Sequence, residues 1–139
     1  MNIKENNITV SEYNILYEKV GWGTREENEV AEALKNTIYS VSIYDALNII
    51  GFGRIIGDKT IFLYIQDVMV DPKYQNRGVG TLIMQNLLKK INEYQSKYPD
   101  IRIYLGASKG KEGFYERFGF IKRSAANLGE GMILEGYEE

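Results

Sequence analysis

The chain has 139 residues, a formal net charge of −2, and neither cysteine nor histidine. Disulfide frameworks, thiolate nucleophiles and cysteine-based metal sites are excluded. The commonest general base and transition-metal ligand is missing too, so proton transfer falls to Asp, Glu, Tyr, Lys, the termini or water. A balance of 44% apolar and 26% charged residues fits one domain with a respectable core; no global field favours nucleic acid or an anionic membrane, and no apolar run approaches the about 18 residues that span a bilayer.

The opening "MNIKENNITV" lacks the apolar middle of a signal peptide, which points to a cytoplasmic protein. Its residues Asn2 to Ile8 read as a first strand. Thr9 and Glu12 then have capping-box spacing, and "SEYNILYEKV" follows with apolar residues at Tyr13, Leu16, Tyr17 and Val20. "GWG" stops that helix. Thr24 and Glu27 repeat the capping signature and open a second helix to about Lys35. Three β-rich runs, "TIYSVSIY", "NIIGFGRII" and "TIFLYIQDVMV", are joined by turn-like segments and predict an antiparallel meander. The third run is apolar on both faces, as a central strand would be. From about Arg77 the period changes: Val79, Ile83, Leu87 and Ile91 recur every four residues, with Leu82, Met84 and Leu88 widening the stripe, and this helix ends before Pro99. "IRIYLG" reads as a strand and "GKEGFYERFGF" as a short helix, with Phe114 and Phe118 on one face and Gly119 as its stop; "GMILEG" is expected to form the last strand. No linker or repeat divides residues 1–139. The order β-α-α-β-β-β-α-β-α-β-β describes a single α+β domain, a mixed, mostly antiparallel sheet flanked by helices.

Two glycines, Gly78 and Gly80, stand where the long helix begins, although glycine is costly in a helix unless a backbone must come close to something. A helix N-terminus leaves its first N–H groups unpaired and carries about half a positive charge, so phosphates bind there readily. Glycines would expose those N–H groups, and Arg77 can add a charge-assisted contact. Two phosphate motifs fail: Gly80 is followed by Thr81-Leu82 rather than Lys-Ser/Thr, and the third glycine of the dinucleotide fingerprint is replaced by Ile83. The alternative is that the glycines serve close packing against a strand.

Gln75-Asn76-Arg77-Gly78-Val79-Gly80 resembles the Q/R-x-x-G-x-G/A signature of the GNAT N-acetyltransferase superfamily. Val70-Asp71-Pro72 resembles its V-x-P strand end, "FYERFGF" its "lYek.GF" segment, and the element order its fold, so the likeness covers nearly the whole chain. It implies acetyl-CoA as cosubstrate, with no metal, and a seat for the CoA pyrophosphate at Gln75, Asn76, Arg77, Gly78, Val79, Gly80 and Thr81. It also implies a bulge splaying the preceding strand, so that backbone groups of Val68, Met69 and Val70 pair with the pantetheine arm; a bulge N–H such as that of Val70 would serve as oxyanion donor. Tyr115 occupies the tyrosine position of the second motif and is expected to protonate the departing thiolate, a phenol of pKa ~10 being reasonably matched to a thiol of pKa ~8.5. Seven residues earlier, where the family often has Asn, stands Ser108, which can contact the pantetheine or cap the short helix.

Asp67 interrupts an apolar run beside the expected bulge and is the candidate general base; the alternative is an Asp held by backbone N–H groups or turned to solvent. In the family the join between the first two helices often lines the acceptor pocket. That makes Trp22 a stacking surface and Arg25 a carboxylate clamp, against the plainer readings of a core Trp and a solvated Arg. Arg54 is either pocket wall or an outward strand residue. The expected activity is acetyl transfer from acetyl-CoA to a primary amine by direct attack in a ternary complex, since no Cys can carry the acyl group. The expected partner is a small-molecule amine, with a peptide N-terminus or Lys as the alternative acceptor and neither nucleic acid nor membrane, and homodimerisation is left open. The rivals are a non-catalytic acyl-CoA-binding or regulatory module on the same fold, and an unrelated nucleotide-phosphate binder.

Overall fold

Each β-rich run forms a strand, and the two joining the meander do so through turns the residues can support. In the computed structural model, which describes residues 1–135, β1 (Asn2–Glu5), β2 (Tyr39–Asp45), β3 (Asn48–Gly57), β4 (Phe62–Val70) and β5 (Arg102–Leu105) lie in one sheet in sequence order. β1 to β4 pair antiparallel. The β3–β4 turn is closed by Asp58, whose Oδ1 accepts from the N–H groups of Thr60, Ile61 and Phe62. Arg102 N–H donates to Ile61 O (2.8 Å), so β5 sets out level with the start of β4. This shared starting edge needs the crossover that helix α3 (Val79–Lys97) supplies.

The chain falls into two compact units, residues 1–104 and 105–139. In the first, α1 (Val10–Lys19) and α2 (Glu27–Lys35) cover one sheet face. Tyr13, Leu16, Tyr17 and Val30 close over Tyr44, Ile49, Phe52 and Met69. The capping box forms as expected: Thr9 N–H donates to Glu12 Oε1 (3.0 Å) and Glu12 N–H to Thr9 Oγ1 (3.1 Å). The second box does not. Glu26, not Thr24, caps α2 through Glu29 N–H, because Asn14 Oδ1 takes the Arg25 N–H and holds the chain along α1 past Thr24. α3 covers the other face with Val79, Ile83, Met84, Leu87 and Ile91 buried, as the four-residue period predicts. It lies close because β3 offers it glycines. A Cβ on Gly51 would stand 2.7 Å from Val79 Cγ1, and one on Gly53 2.8 Å from Ile83 Cγ2. The middle strand is therefore β3, and β4 alternates between buried and half-buried residues rather than being enclosed on both faces.

The second unit carries α4 (Glu112–Glu116), with Phe114 edge-on to Phe118 (5.3 Å) and Gly119 at φ 93°, the expected stop. Beyond it the two expected closing strands are replaced by a 3₁₀ turn (Arg123–Ala126) and irregular chain. Met132, Ile133 and Leu134 are 91%, 74% and 88% exposed, so the apolar run has no core face to bury and forms no strand among the described residues. Gly136, the end of the expected "GMILEG" strand, lies outside the described residues.

Candidate functional site

The long helix begins with a backbone that only a few residues tolerate. Asn76 has φ 62° and Gly78, the residue before α3, has φ 84°. Asn and Gly are the residues that enter this left-handed region at least cost. The first intrahelical bond is Leu82 N–H to Gly78 O (3.0 Å), so the N–H groups of Val79, Gly80 and Thr81 precede the ladder. No side chain caps this end and its first turn holds no acidic residue. A Cβ on Gly78 would meet nothing within 4 Å, so the space before the helix is open. Gln75, Asn76, Arg77 and Gly78 are exposed, whereas Val79 is buried. The Arg77 guanidinium lies over the Tyr74 ring (5.4 Å), and Tyr74 Oη donates to Asp45 Oδ2 (2.6 Å), which raises the Tyr74 pKa. The buried Asp71 before it is matched by Lys19 (3.3 Å) and caps the 3₁₀ turn Pro72–Tyr74 through Lys73 N–H. The result is an open, positively polarised cradle that fits a diphosphate.

The strand leading to this cradle is bulged. Arg54 pairs with Gln66 but Phe52 pairs with Met69, so Gly53 alone faces both Asp67 and Val68. Asp67 takes up the extra residue at φ 56°. Val68, Met69 and Val70 follow directly. Asp71 N–H donates to Ile50 O on β3 (2.8 Å). Because N–H groups alternate along an extended strand, that of Val70 points away from β3. β5 starts level with Ile61 and has four residues, so it ends before the bulge, and on the side away from β3 no strand among the described residues continues beside Val68–Val70.

Asp67 itself is buried and held by side chains, not by backbone N–H groups. Its Oδ2 accepts from Tyr13 Oη (2.8 Å) and Arg54 Nε (2.7 Å), and Gln66 Nε2 approaches Oδ1 (3.5 Å). Arg54, 13% exposed, points inward and also donates through Nη1 to Thr37 Oγ1 (3.2 Å) and Ala33 O (3.4 Å). Burial, with the Asp67 charge adding to it, drives the Tyr13 phenol far above its ordinary pKa and keeps it a donor. Tyr13 stacks on Tyr17 (5.5 Å), Trp22 meets Tyr17 edge-on (5.5 Å), and the Arg25 guanidinium lies over the same ring (5.8 Å) and near Glu29 (3.9 Å). Trp22 and Arg25 therefore share one aromatic support.

Within the second unit, Tyr115 lies edge-on to Phe114 (5.0 Å) and to Phe120 (6.4 Å). The Ser108 carbonyl accepts from Lys111 N–H (2.9 Å), while Lys111 stands at the N-cap of α4 and no side chain caps the helix, so Ser108 shapes the turn rather than capping the helix. Sequence reasoning missed Tyr13, Thr37, Tyr74 and Asp45. Tyr13 carried a usable signal, since a buried tyrosine hydroxyl needs a partner and Asp67 was the polar break in an otherwise apolar strand.

Comparison with known proteins points the same way. A family model described as an acetyltransferase (GNAT) domain matches residues 17–138. The chain is 30% identical over 120 residues to the uncharacterized N-acetyltransferase ycf52 of Porphyra purpurea, covering 84% of this chain and 67% of that protein. It is 28% identical to the histone acetyltransferase TAP1 of Glycine max, over 81% of this chain but 47% of that protein. The chain thus spans about half to two thirds of the length of these relatives. Among solved structures, SA2161, a protein of unknown function from meticillin-resistant Staphylococcus aureus, superposes with a TM-score of 0.86 at 26% identity, covering 96% of this chain and 98% of that one. With the family model spanning most of its length, over the same sheet and glycine-started helix, the chain belongs to the GNAT acetyltransferase family.

Proposed function

We propose that this protein transfers an acetyl group from acetyl-CoA to a primary amine of a small molecule. The observation that carries the reading is the start of α3: an uncapped helix end with an open approach over Gly78, no acidic residue in its first turn and Arg77 beside it, directly after a bulged strand. The residues present fit CoA, which would supply an activated acetyl thioester. The N–H groups of Val79, Gly80 and Thr81, with Arg77, hold the diphosphate; Gln75 and Asn76 shape the loop before them. The backbone of Val68, Met69 and Val70 offers strand-type hydrogen bonds to the pantetheine amides, and the outward Val70 N–H is a donor for charge that develops on the acyl oxygen. Tyr115 is assigned the proton for the leaving thiolate on its place in "FYERFGF". Asp67, with Tyr13 and Arg54 on its Oδ2, serves the bulge rather than the amine proton, which is left to water. The amine attacks directly, since the chain has no Cys to carry an acyl group. Trp22 and Arg25 remain the candidates for the acceptor side.

The test is a thiol-release screen with acetyl-CoA against chemically varied small amines, with a lysine peptide as a further arm because the soybean relative is named a histone acetyltransferase. Amine-dependent thiol release is expected, strongest with a small amine. Release with the peptide alone would move the acceptor to a protein lysine. Acetyl-CoA binding by calorimetry without turnover on any amine would make the protein a binding module, and displacement of bound acetyl-CoA by ATP at comparable affinity would make it a general nucleotide-phosphate binder.

A further inference from the structure

Three side chains that nothing in the acetyl-transfer chemistry requires to meet are joined under the aromatic face of α1. Asp67 and Arg54 are on adjacent strands, and Tyr13 reaches Asp67 from 54 positions away. Cross-strand partners share a face, so Gln66 lies on the face of Arg54 and Met69 on that of Phe52, the side covered by Tyr13. In an unbroken strand Asp67 would alternate to the opposite face, where Ile83 and Leu87 pack over Gly53. The left-handed turn at Asp67 brings its carboxylate back beside Gln66. Asp, with Asn, enters this region more cheaply than other non-glycine residues but less cheaply than glycine, and a buried carboxylate needs partners. Tyr13 and Arg54 meet both requirements. Arg54 also fixes the end of α2 through Ala33 O and Thr37 Oγ1, so the bulge is tied to both helices of that face.

We infer that Tyr13 and Arg54 are positioning residues: by gripping Asp67 they hold the β4 bulge, and with it the backbone of Val68–Val70, in the shape that receives the pantetheine arm. The inference rests on the proposed use of acetyl-CoA and deepens it. It separates two parts of one ligand, because the diphosphate cradle at α3 takes no contact from the grip.

The experiment compares, by calorimetry, acetyl-CoA with adenosine 3′-phosphate 5′-diphosphate, the portion of CoA that lacks the pantetheine arm. Tyr13→Phe keeps the ring on Tyr17 and Phe52 and removes one hydrogen bond to a charged group. It should weaken acetyl-CoA binding about tenfold and leave the fragment's affinity unchanged. Turnover should fall by up to about 10²-fold with a pH profile parallel to wild type, as misplacement gives and loss of a base does not. In an Asp67→Gly background, where the left-handed turn needs no grip, Tyr13→Phe should add nothing. Should Tyr13→Phe fail to fold, Arg54→Lys is read the same way, since it keeps the charge but gives up the fork to Ala33 and Thr37. Wild-type protein that binds neither ligand would sink the functional reading itself. Wild-type protein that binds both, with folded variants that lose neither affinity or lose both equally, would overturn the grip alone.

Discussion

Gly78 is the position at which a conformational reason for glycine and a ligand reason can be separated. Its φ of 84° lies where an ordinary L residue is strained by roughly 1–2 kcal/mol, whereas Asn enters the same region at much lower cost. A Cβ there meets no protein atom within 4 Å, so neither variant suffers a clash. Gly78→Ala should therefore lose about 1–2 kcal/mol, a fall in Tm of roughly 3–6 °C for a chain of this size, and Gly78→Asn should melt close to wild type. Affinity for acetyl-CoA is expected to behave differently. Both side chains stand in the open approach to the Val79–Thr81 N–H groups, and each hydrogen bond to a charged group that is lost is worth about 1.5–3 kcal/mol. Calorimetry should then report both variants binding at least tenfold more weakly than wild type. An Asn variant that melts and binds like wild type would refute the reasoning, because glycine would then serve the backbone turn and nothing else.

Gly51→Ala drives a Cβ into Val79 Cγ1 at the first residue of α3; overpacking of about 1–3 kcal/mol exceeds the gain of roughly 0.5–1 kcal/mol from replacing a strand glycine, so denaturant unfolding should show net destabilisation. Tyr13 and Tyr39 are pushed well above the ordinary phenol range and Tyr44 up to about 12, in each case first by burial. Above pH about 10 the unfolded chain therefore releases protons that the fold retains, and stability should fall by up to ~1.4 kcal/mol per pH unit per tyrosine, with a shallower fall in Tyr13→Phe; a flat profile would contradict the burial of these phenols. Tyr115→Phe keeps the ring against Phe114 and Phe120 and should leave acetyl-CoA affinity unchanged while lowering kcat by roughly 10²–10⁴-fold; turnover at the wild-type rate where chemistry is limiting would end its role as proton donor.

Much of the fold was legible because its signals are local. The Thr9–Glu12 box needs only its own four residues, and the buried stripe of α3 follows from its period. Where the expectation failed, a distant partner decided. The start of α2 moved to Glu26 because Asn14, eleven residues earlier, takes the Arg25 N–H. The glycines of "IIGFGRII" carry no periodic signal; their use appears only when α3 lies over them as the seat of Val79 and Ile83. The closing strands depended on a core face that the exposed Met132–Leu134 run does not have.

The cradle was legible for the same reason as the helix. A glycine-bounded start without an acidic first turn is written in consecutive residues, and the likeness of that run to a family signature added the ligand. The bulge was not legible from periodicity, because one inserted residue in a nine-residue strand leaves an apolar run apolar. Asp67 looked like a base because polarity in such a run asks for a chemical reason. The proposed grip gives it a mechanical one. A bulge that only had to turn could use glycine at this position, with no strain and nothing buried to satisfy. An aspartate brings both burdens, and they are met only because Tyr13 and Arg54 arrive from α1 and β3 to hold it. On the proposed reading the carboxylate is explained by what grips it rather than by what it could deprotonate, and that grip is fixed only when α1 packs on the sheet.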